Sequence, residues 1–344
     1  MPASDRLPPG HPPAPHGRIG VLIGNLGTPD ATDYRTVRRY LSEFLSDKRV
    51  IDYPAWKWQP ILQLIILSTR PQKTGANYRL IWNEELDESP LLTITRAQAE
   101  AIRADLAADY GDRVLVDFCM RYGNPSTASR LRAMVEAGCD RVLFLPLYPQ
   151  YSSATTATAN DELFRGLMRE KRQPAVRTVG AYMDDPAYVA ALAASVTRAF
   201  AGREPPQRLI CSYHGLPERF LTEGDPYHCH CQKTTRLLRE ALGWPEEQVV
   251  TTFQSRFGRE EWLKPYTVKE VARLAGEGIT RIGILAPAFA ADCIETLEEI
   301  QGEIQDAFKA AGGEEFTYVP CLNDAPDHIA ALTGIVRANL RGWV

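Results

Sequence analysis

The sequence predicts an α/β protein with two Rossmann-like, doubly wound lobes of parallel sheet and a cleft between them. Short apolar runs rich in β-branched residues alternate with longer helical patterns along most of the 344 residues, which is typical of parallel sheets with crossover helices. Motifs of the first half also recur in the second half, which indicates two related lobes. Open sheets of this class bind ligands beyond the carboxyl ends of their strands, so the segments after the strands are the first candidates for a site.

The apolar runs predict six strands, each ending where Gly, Pro or Asn residues cluster, at 19–23, 114–119, 141–147, 209–213, 249–254 and 281–286. Five helices are predicted among them, at 96–108, 125–137, 186–200, 232–242 and 294–310. Strands joined through a helix run parallel, because the crossover returns the chain to the same end of the sheet.

The internal repeat also predicts an insertion in the first half. Phe118-Cys-Met-Arg-Tyr-Gly123 matches Phe253-Gln-Ser-Arg-Phe-Gly258 at an offset of 135 residues, and the strands that begin at Arg18 and Arg208 correspond. From the first arginine to the motif arginine is 103 residues in the first half and 48 in the second. The surplus of about 55 residues predicts an insertion near 40–95, which we call the lip of the cleft.

These features divide the chain into four predicted segments. A Pro-rich arm at 1–16 is expected to be disordered. A first lobe follows at 17–180 and includes the lip. A second lobe at 181–321 carries the candidate metal-site residues, and a C-terminal helical segment spans 322–344.

Composition excludes several classes of protein. The 39 Lys and Arg against 43 Asp and Glu give a net charge of -4, so no global basic field favours nucleic acid as a partner. The odd number of cysteines, seven, suits a reducing compartment better than a disulfide framework. There is no secretory signal, and the longest strongly apolar run, 61–67, is too short to span a bilayer. A cytoplasmic protein, at most peripheral on a membrane, is therefore predicted.

The dinucleotide fingerprint and the P-loop are missing, which disfavours a nicotinamide dehydrogenase or a P-loop enzyme.

Two segments beyond predicted strands carry candidate catalytic residues. His214 directly follows the strand at 209–213, where it is either a proton acceptor or metal ligand at the cleft, or a histidine that satisfies a turn. Glu295, Glu299 and Glu303 recur every four residues and form a row on one helix face, closer still if a π-turn interrupts the helix. A solvated helix face explains the same row. An imidazole and a carboxylate row at two strand ends also suit a divalent metal and proton transfer.

In these residues and in a series of longer motifs, the sequence resembles the ferrochelatase family, whose members insert ferrous iron into protoporphyrin IX in the last step of haem synthesis. The resemblance covers nearly the whole chain after residue 16. Its motifs occur in the family's order and include Asn25-Leu-Gly-Thr-Pro29, Met120-Arg-Tyr-Gly123, Leu147-Tyr-Pro-Gln-Tyr-Ser152, Ser212-Tyr-His-Gly-Leu-Pro217, Gly224-Asp-Pro-Tyr227 and Phe289-Ala-Ala-Asp-Cys-Ile-Glu-Thr-Leu-Glu298. The resemblance implies the chelatase fold, a lyase of the bacterial protoporphyrin ferrochelatase type, and a last helix at about 326–341 that packs back on the first lobe.

The resemblance also implies roles for individual residues. The catalytic pair is His214 and Glu295, and the metal is handled by these two together with Glu299 and Glu303. The porphyrin cleft is lined by Arg121, Tyr122, Tyr151 and Trp262. Some relatives have a histidine where this chain has Cys293, so a metal route through two histidines is not expected here.

The lip and one cysteine cluster predict further contacts. The segment at 50–70 mixes aromatic and aliphatic residues with Lys and Arg, which suits peripheral contact with a membrane, although simple packing of a core helix explains the same pattern.

Some ferrochelatases carry a [2Fe–2S] cluster, and its four thiolates in this chain would be Cys229, Cys231, Cys321 and Cys211. Zinc or unligated thiols are the alternatives for these cysteines.

The predicted partners are protoporphyrin IX and ferrous iron, with iron as substrate and with no obligate protein partner. Two other functions stay open. One is a chelatase for another tetrapyrrole or metal, such as coproporphyrin or cobalt. The other is a non-catalytic carrier of porphyrin or haem, which would need the aromatic residues of the lip but neither His214 nor the glutamate row.

Overall fold

A computed structural model describes residues 17–258 and 260–344. The predicted disordered arm at 1–16 lies outside the described residues. Within the described part, the chain forms two four-stranded sheets in which every pair of neighbouring strands is parallel. The predicted fold class, α/β with two parallel sheets, is confirmed.

The two sheets have the same strand order, as the repeat predicts. The first is ordered β2-β1-β3-β4, with strands β1 Arg18–Thr28, β2 Val114–Gly123, β3 Cys139–Pro146 and β4 Ala175–Thr178. The second is ordered β6-β5-β7-β8, with strands β5 Arg208–His214, β6 Val249–Gln254, β7 Arg281–Leu285 and β8 Glu315–Tyr318. The central strands are nearly continuous apolar runs because helices cover both faces of each sheet.

Twelve α-helices surround the sheets in the described residues. The first half contains α1 Tyr34–Leu45, α2 Ala55–Ile61, α3 Leu67–Ile81, α4 Pro90–Tyr110, α5 Thr127–Glu136, α6 Thr158–Leu167 and α7 Pro186–Ala199. The second contains α8 Glu218–Thr222, α9 Tyr227–Leu242, α10 Thr267–Gly276, α11 Gln305–Ala310 and α12 Pro326–Leu340. Three segments are π-helical, Leu62–Ile66, Ser153–Ala157 and Glu295–Ile304, and two short 3-10 turns lie at Gly111–Arg113 and Glu246–Gln248.

The predicted elements are present, with several shifts at their ends. Helix α4 begins at Pro90 because the Ser89 side chain accepts the backbone N–H of Leu92 and caps the helix. Four helices lie between β1 and β2 but only two between β5 and β6, which accounts for the surplus that predicted the lip. Strands β4 and β8 were not predicted, because each has only four residues and lies at a sheet edge.

One apolar core joins the two halves. It contains residues of both central strands, β1 and β5, together with α7 and the C-terminal helix α12. Arg177 on β4 donates to the carbonyl oxygen of Asn339 at 2.7 Å, and Arg141 on β3 donates to that of Trp343 at 2.8 Å. The C-terminal helix therefore lies against the first half of the molecule. The predicted limits of the lobes stay predictions.

Candidate active site

His214 is the last residue of β5 and lies at the carboxyl end of the second sheet. Its Nδ1 atom is 2.8 Å from the carbonyl oxygen of Gly215. Because a carbonyl oxygen can only accept, Nδ1 carries the proton in the neutral ring and Nε2 is left with a free lone pair. The half-buried imidazole can therefore accept a proton or bind a metal through Nε2.

The predicted glutamate row lies on the π-helix Glu295–Ile304. Hydrogen bonding from i to i+5 widens each turn, so residues four apart stand nearly above one another. Glu295 and Glu299 are half-buried, whereas Glu303 is exposed. The row therefore leads from the interior of the molecule to solvent.

Glu299 is the most firmly held member of the row. Its carboxylate accepts hydrogen bonds from the backbone N–H of Ser255 at 2.8 Å, from Ser255 Oγ at 2.6 Å and from Gln254 Nε2 at 3.1 Å. Burial raises the pKa of this carboxyl, and the nearby Glu295 raises it further, while the hydroxyl of Ser255 and the charge of His214 oppose the rise. A carboxyl group with a raised pKa takes up a proton more readily at a given pH, so Glu299 is suited to proton transfer.

Ser255 has a left-handed backbone conformation, with φ of 64°. This conformation is uncommon for a residue with a Cβ and persists where surrounding bonds over-determine it. Here both donors of Ser255 point to Glu299, and Gln254 Nε2 donates at 3.0 Å to the backbone carbonyl of Glu295. The end of β6 thus fixes the first turn of the π-helix.

Glu295 lies beside a narrow cavity of about 10 Å³. Two buried phenols, Tyr40 and Tyr78, line this cavity together with Leu26 and Cys293. Burial raises the pKa of both phenols and of the Cys293 thiol, and the charge of Glu295 adds to each rise. Cys293 therefore stays protonated and is a poor metal ligand in this environment.

Arg121 is buried at the end of β2 in a closed ion-pair network. It pairs with Asp47 and donates through Nε to Thr158 Oγ1 at 2.7 Å. Asp47 also accepts hydrogen bonds from Thr158 Oγ1 and from the hydroxyl of Tyr122, the latter at 2.9 Å. Burial opposes ionisation of Asp47, but these hydrogen bonds, the N–H of Arg49 and the charge of Arg121 outweigh it and lower its pKa.

A large cavity of about 1270 Å³ opens beside this network. Arg121 and Tyr151 line it. The lining contains as many acidic as basic side chains: Arg35, Arg38, Arg39, Lys48, Arg49, Arg121 and Arg165 on one side of the balance, and Glu43, Asp47, Asp52, Asp161, Glu162, Glu223 and Asp225 on the other. Tyr122 is 0 % exposed and packs in the core of the first half, so its ring is not part of the cavity wall. Trp262 lies elsewhere and packs against Gly215. A Cβ added to Gly215 would come within 3.0 Å of the Trp262 ring.

His214 and the glutamates do not form a closed metal site. In the part of the chain that the structure describes, no three His, Cys, Asp or Glu side chains converge as they would around a resident metal ion. His214 and Glu295 nevertheless both act electrostatically on Glu299, which places all three in one neighbourhood.

Comparison with known proteins decides the family. The ferrochelatase family model matches residues 18–340, which is nearly the whole chain. The chain belongs to the ferrochelatase family. A ferrochelatase of Rhodobacter capsulatus is 63% identical over 339 residues, covering 98% of this chain and 97% of the relative, and one of Agrobacterium fabrum is 55% identical with 98% of each covered. The predicted family and the predicted ferrochelatase function are confirmed, and neither alternative function is favoured.

Solved structures support the chelatase fold of this ferrochelatase-family chain. SirB from Bacillus subtilis, solved with Fe³⁺, has a TM-score of 0.56 and 14% sequence identity, with 94% of this chain and 96% of that chain covered. CbiX, described as the terminal enzyme of sirohaem biosynthesis in denitrifying bacteria, has a TM-score of 0.51 and 16% identity, with 93% and 98% covered. At this identity the likeness concerns the fold alone.

The four cysteines predicted to hold an iron–sulfur cluster do not fit one in this ferrochelatase fold. Cys229 and Cys231 are two residues apart on α9, so they project from different faces, and Cys229 is exposed while Cys231 is fully buried. Burial raises the pKa of the Cys211 thiol to about 12 and those of Cys231 and Cys321 well above their usual value. Cluster ligands are thiolates, and no three His, Cys, Asp or Glu side chains of the described residues are grouped as a metal centre requires.

Sequence reasoning missed three polar residues of this ferrochelatase site. Gln254 and Ser255 hold Glu299, and they lie inside the repeated motif at 253–258, which marked the segment without marking these two side chains. Asp47 holds Arg121. No local signal points to Asp47, because its partner lies 74 residues away in the chain.

Proposed function

We propose that this chain inserts Fe²⁺ into protoporphyrin IX, with release of two pyrrole protons, through His214 and the glutamate row on the π-helix. The observation that carries this assignment is the free Nε2 of His214 beside a half-buried Glu299 whose pKa is raised. A free-base porphyrin loses two protons when it binds a metal ion, so the site needs proton acceptors close to the ring. A neutral imidazole and a carboxylate with a raised pKa meet that need.

In this proposal the protons leave along the row of glutamates. His214 Nε2 accepts a pyrrole proton, and Glu295 and Glu299 pass protons outward to the exposed Glu303. The same imidazole and carboxylate oxygens offer weak, replaceable ligands to incoming iron. Because iron is a substrate that must move on into the macrocycle, a closed resident site is not required.

We propose that the macrocycle binds between the lip and the second half, with its propionates toward the arginine and lysine side chains of the large cavity. Arg121 and Tyr151 line this cavity, where cationic and aromatic groups suit carboxylates and a flat ring. Trp262 packs against Gly215, the residue next to His214. The cavity beside Glu295 has room for about one water molecule, so we expect α3, which carries Tyr78, to move away from Glu295 when porphyrin binds.

An insertion assay under anaerobic conditions tests the proposed function and its alternatives. The purified chain is given Fe²⁺ or Co²⁺ with either protoporphyrin IX or coproporphyrin, and loss of free-base fluorescence is followed. We expect the highest kcat/KM for Fe²⁺ with protoporphyrin IX. A higher value for coproporphyrin or for Co²⁺ would reassign the substrate, and porphyrin binding with no metal insertion would indicate a carrier.

We also propose that the lip contacts the surface of a membrane, at the cytoplasmic face. Trp56 and Leu64 are each 75% exposed, Ile65 also protrudes, and Lys57 lies 5.0 Å from the Trp56 ring. Such a surface combines apolar insertion with attraction to anionic lipid. No helix among residues 17–258 and 260–344 is long and apolar enough to cross a bilayer.

Co-sedimentation with phosphatidylglycerol vesicles tests the lip contact. Replacing Trp56 and Leu64 with Ser is expected to reduce the bound fraction strongly. Met168, which directly follows α6 and is 80% exposed, provides the matched control, and Met168→Ser is expected to leave binding unchanged. Equal loss in both variants would overturn the assignment of the lip.

A further inference from the structure

Four consecutive residues of the first half are bonded to the second half at one place. The segment Gln150–Ser153 follows β3 and leads into the first π-helical turn beyond that strand. Four of its bonds go to residues at 225–234, the turn before α9 and the first half of that helix, and Gln150 Nε2 is also 3.5 Å from the hydroxyl of Tyr188 on α7. The bonds are Gln150 Nε2 to Thr234 Oγ1 at 3.0 Å, the Tyr151 N–H to His230 Nδ1 at 3.2 Å, Ser152 Oγ to Asp225 Oδ2 at 3.1 Å and the Ser153 N–H to Asp225 Oδ2 at 2.7 Å.

This set of bonds, which we call the latch, also borders the large cavity. Tyr151 and Ser153 line the cavity from the first half, and Asp225 lines it from the second. The latch therefore fixes the separation of two cavity walls that are carried by different sheets. In the proposed function, Tyr151 contacts the macrocycle in this cavity.

His230 is the member of the latch that can change its state near neutral pH. Its Nδ1 accepts the N–H of Tyr151, which requires an unprotonated nitrogen at that position. An imidazolium carries a proton on Nδ1 and cannot accept this bond. The hydroxyl of Thr234, which accepts from Gln150, does not titrate in this range.

The charged groups around His230 come from three places in the chain. Asp184 precedes α7, Asp225 precedes α9, and Lys233 lies on α9 and pairs with Asp184 at 2.5 Å. The segment at 150–153 contributes only the backbone of Tyr151 to this contact. Burial lowers the pKa of His230 and Lys233 lowers it further, while the two aspartates oppose the shift. The neutral ring that the latch needs is thus the prevailing form at neutral pH.

We propose that His230 is a positioning residue for the macrocycle: it holds Tyr151 in the cavity wall through the backbone, and protonation of its ring releases Tyr151 and weakens porphyrin binding in acid. This inference rests on the proposed function for the identity of the ligand. None of the charged groups that act on His230 is His214 or a glutamate of the row, so we expect His230 to affect binding of the macrocycle and to leave the metal-insertion step unchanged.

Three single variants of the full chain separate this role from a merely structural one. His230→Ala removes the acceptor. His230→Asn places an amide oxygen the same number of bonds from the backbone as Nδ1 and cannot be protonated in this pH range. His228→Ala is the control, because His228 is on the same helix and stacks on Phe253 at 5.8 Å, within the second half.

The experiment measures KM and kcat for Fe²⁺ insertion, and the Kd of protoporphyrin IX by quenching of tryptophan fluorescence. At about pH 8 we expect His230→Ala to raise KM and Kd by ~3–10-fold, the effect of one lost hydrogen bond, with kcat within about twofold. His230→Asn is expected to restore both constants, and His228→Ala to leave them unchanged. Between about pH 8 and pH 5.5, where an ordinary imidazole becomes charged, the wild-type Kd rises more than that of His230→Asn.

Other outcomes overturn the proposal. Unchanged Kd in His230→Ala would show that the latch does not position Tyr151, and equal pH dependence in wild type and His230→Asn would remove His230 as the titrating group. Should His230→Ala fail to fold, the comparison of His230→Asn with wild type across pH decides alone. A wild-type chain that binds protoporphyrin but inserts no iron would refute the proposed function and leave the Kd test of His230 valid.

Discussion

The two halves of the molecule have the same scaffold and different chemistry. Each has four parallel strands in the same order. Each also has an arginine at or just beyond the end of its edge strand, β2 or β6, and a π-helical segment after its third strand in the chain, β3 or β7. In the first half Arg121 is buried and paired with Asp47, whereas its counterpart Arg256 is exposed and lies 5.1 Å from the Tyr266 ring. The lip supplies Asp47, whereas Arg256 forms no comparable ion pair among the described residues of the second half.

The π-helical segments differ in the same way. In the first half the segment is five residues long, Ser153–Ala157, and has no acidic residue, whereas Glu295–Ile304 is ten residues long and carries the glutamate row. The duplicated fold therefore has equivalent strand ends in its two sheets, and different side chains at these ends give the two halves different roles. In the proposed function, the first half binds the macrocycle and the second half moves protons.

Removing His214 is expected to have the largest effect on this division. His214→Ala eliminates the proposed proton acceptor, and general acid–base groups of this kind contribute about 10²–10⁴-fold to rate. We expect kcat to fall by about 10³-fold, with the thermal unfolding midpoint close to wild type. Near-normal turnover in a folded His214→Ala protein would place the chemistry elsewhere.

Breaking the buried ion pair of the first half is expected to affect stability more than catalysis. Asp47→Ala leaves Arg121 buried without its partner, which costs about 3–5 kcal/mol. The matched change in the second half, Arg256→Ala, removes an exposed residue and is expected to stay within about 0.5 kcal/mol. Urea unfolding gives the free energy of unfolding of both variants. An equal loss of stability in the two variants would show that the two arginines are equivalent.

Glu299→Gln tests whether the row carries protons. The pKa of Glu299 is raised, so this group takes up a proton at a higher pH than an ordinary glutamate and stops accepting protons as pH falls. We expect kcat to fall about 10–100-fold. We also expect the acid limb of the wild-type pH–rate profile to lie above the usual glutamate range and to move to lower pH in the variant. Glu303→Gln, at the exposed end of the row, is the control, with an expected change of about twofold. An unaltered acid limb in Glu299→Gln would exclude Glu299 as the titrating group.

The smallest effect is expected at the cysteines of α9. Because Cys229 is exposed and apart from the buried Cys231, we expect Cys229→Ser to keep activity within about twofold and to leave the visible absorption spectrum unchanged. Anaerobic purification followed by iron and sulfide analysis provides the measurement. Bound iron and sulfide that disappear in the variant would restore the iron–sulfur prediction.

Much of the fold was predictable because it depends on local patterns. Buried parallel strands are continuous apolar runs, and the repeat at 118–123 and 253–258 fixed which strands correspond. Strand β8 escaped prediction because four half-exposed residues become a strand only when β7 offers a partner. The same holds for β4, which pairs with β3.

The candidate site was predictable in part. His214 and Glu295 follow strands and could be located from the sequence, and the structure places them near Glu299. Tyr122 could not be judged, because alternate residues of a strand point to opposite faces and the sequence does not say which face the lip covers. The cysteines at 229 and 231 suggested a ligand pair, but the helical turn directs them apart.

The sequence by itself determined the class of fold, the duplication, the family and the chemical groups available at the strand ends. Only the tertiary structure decided which of those groups meet: Asp47 with Arg121, Ser255 with Glu299, and His230 with Tyr151. The physical reason is that strand and helix patterns repeat over a few residues. The hydrogen bonds and ion pairs of the site join residues that are tens of positions apart in the chain. The packing of the two halves determines which of these residues come into contact, and therefore which pKa values shift and how the cavity is walled.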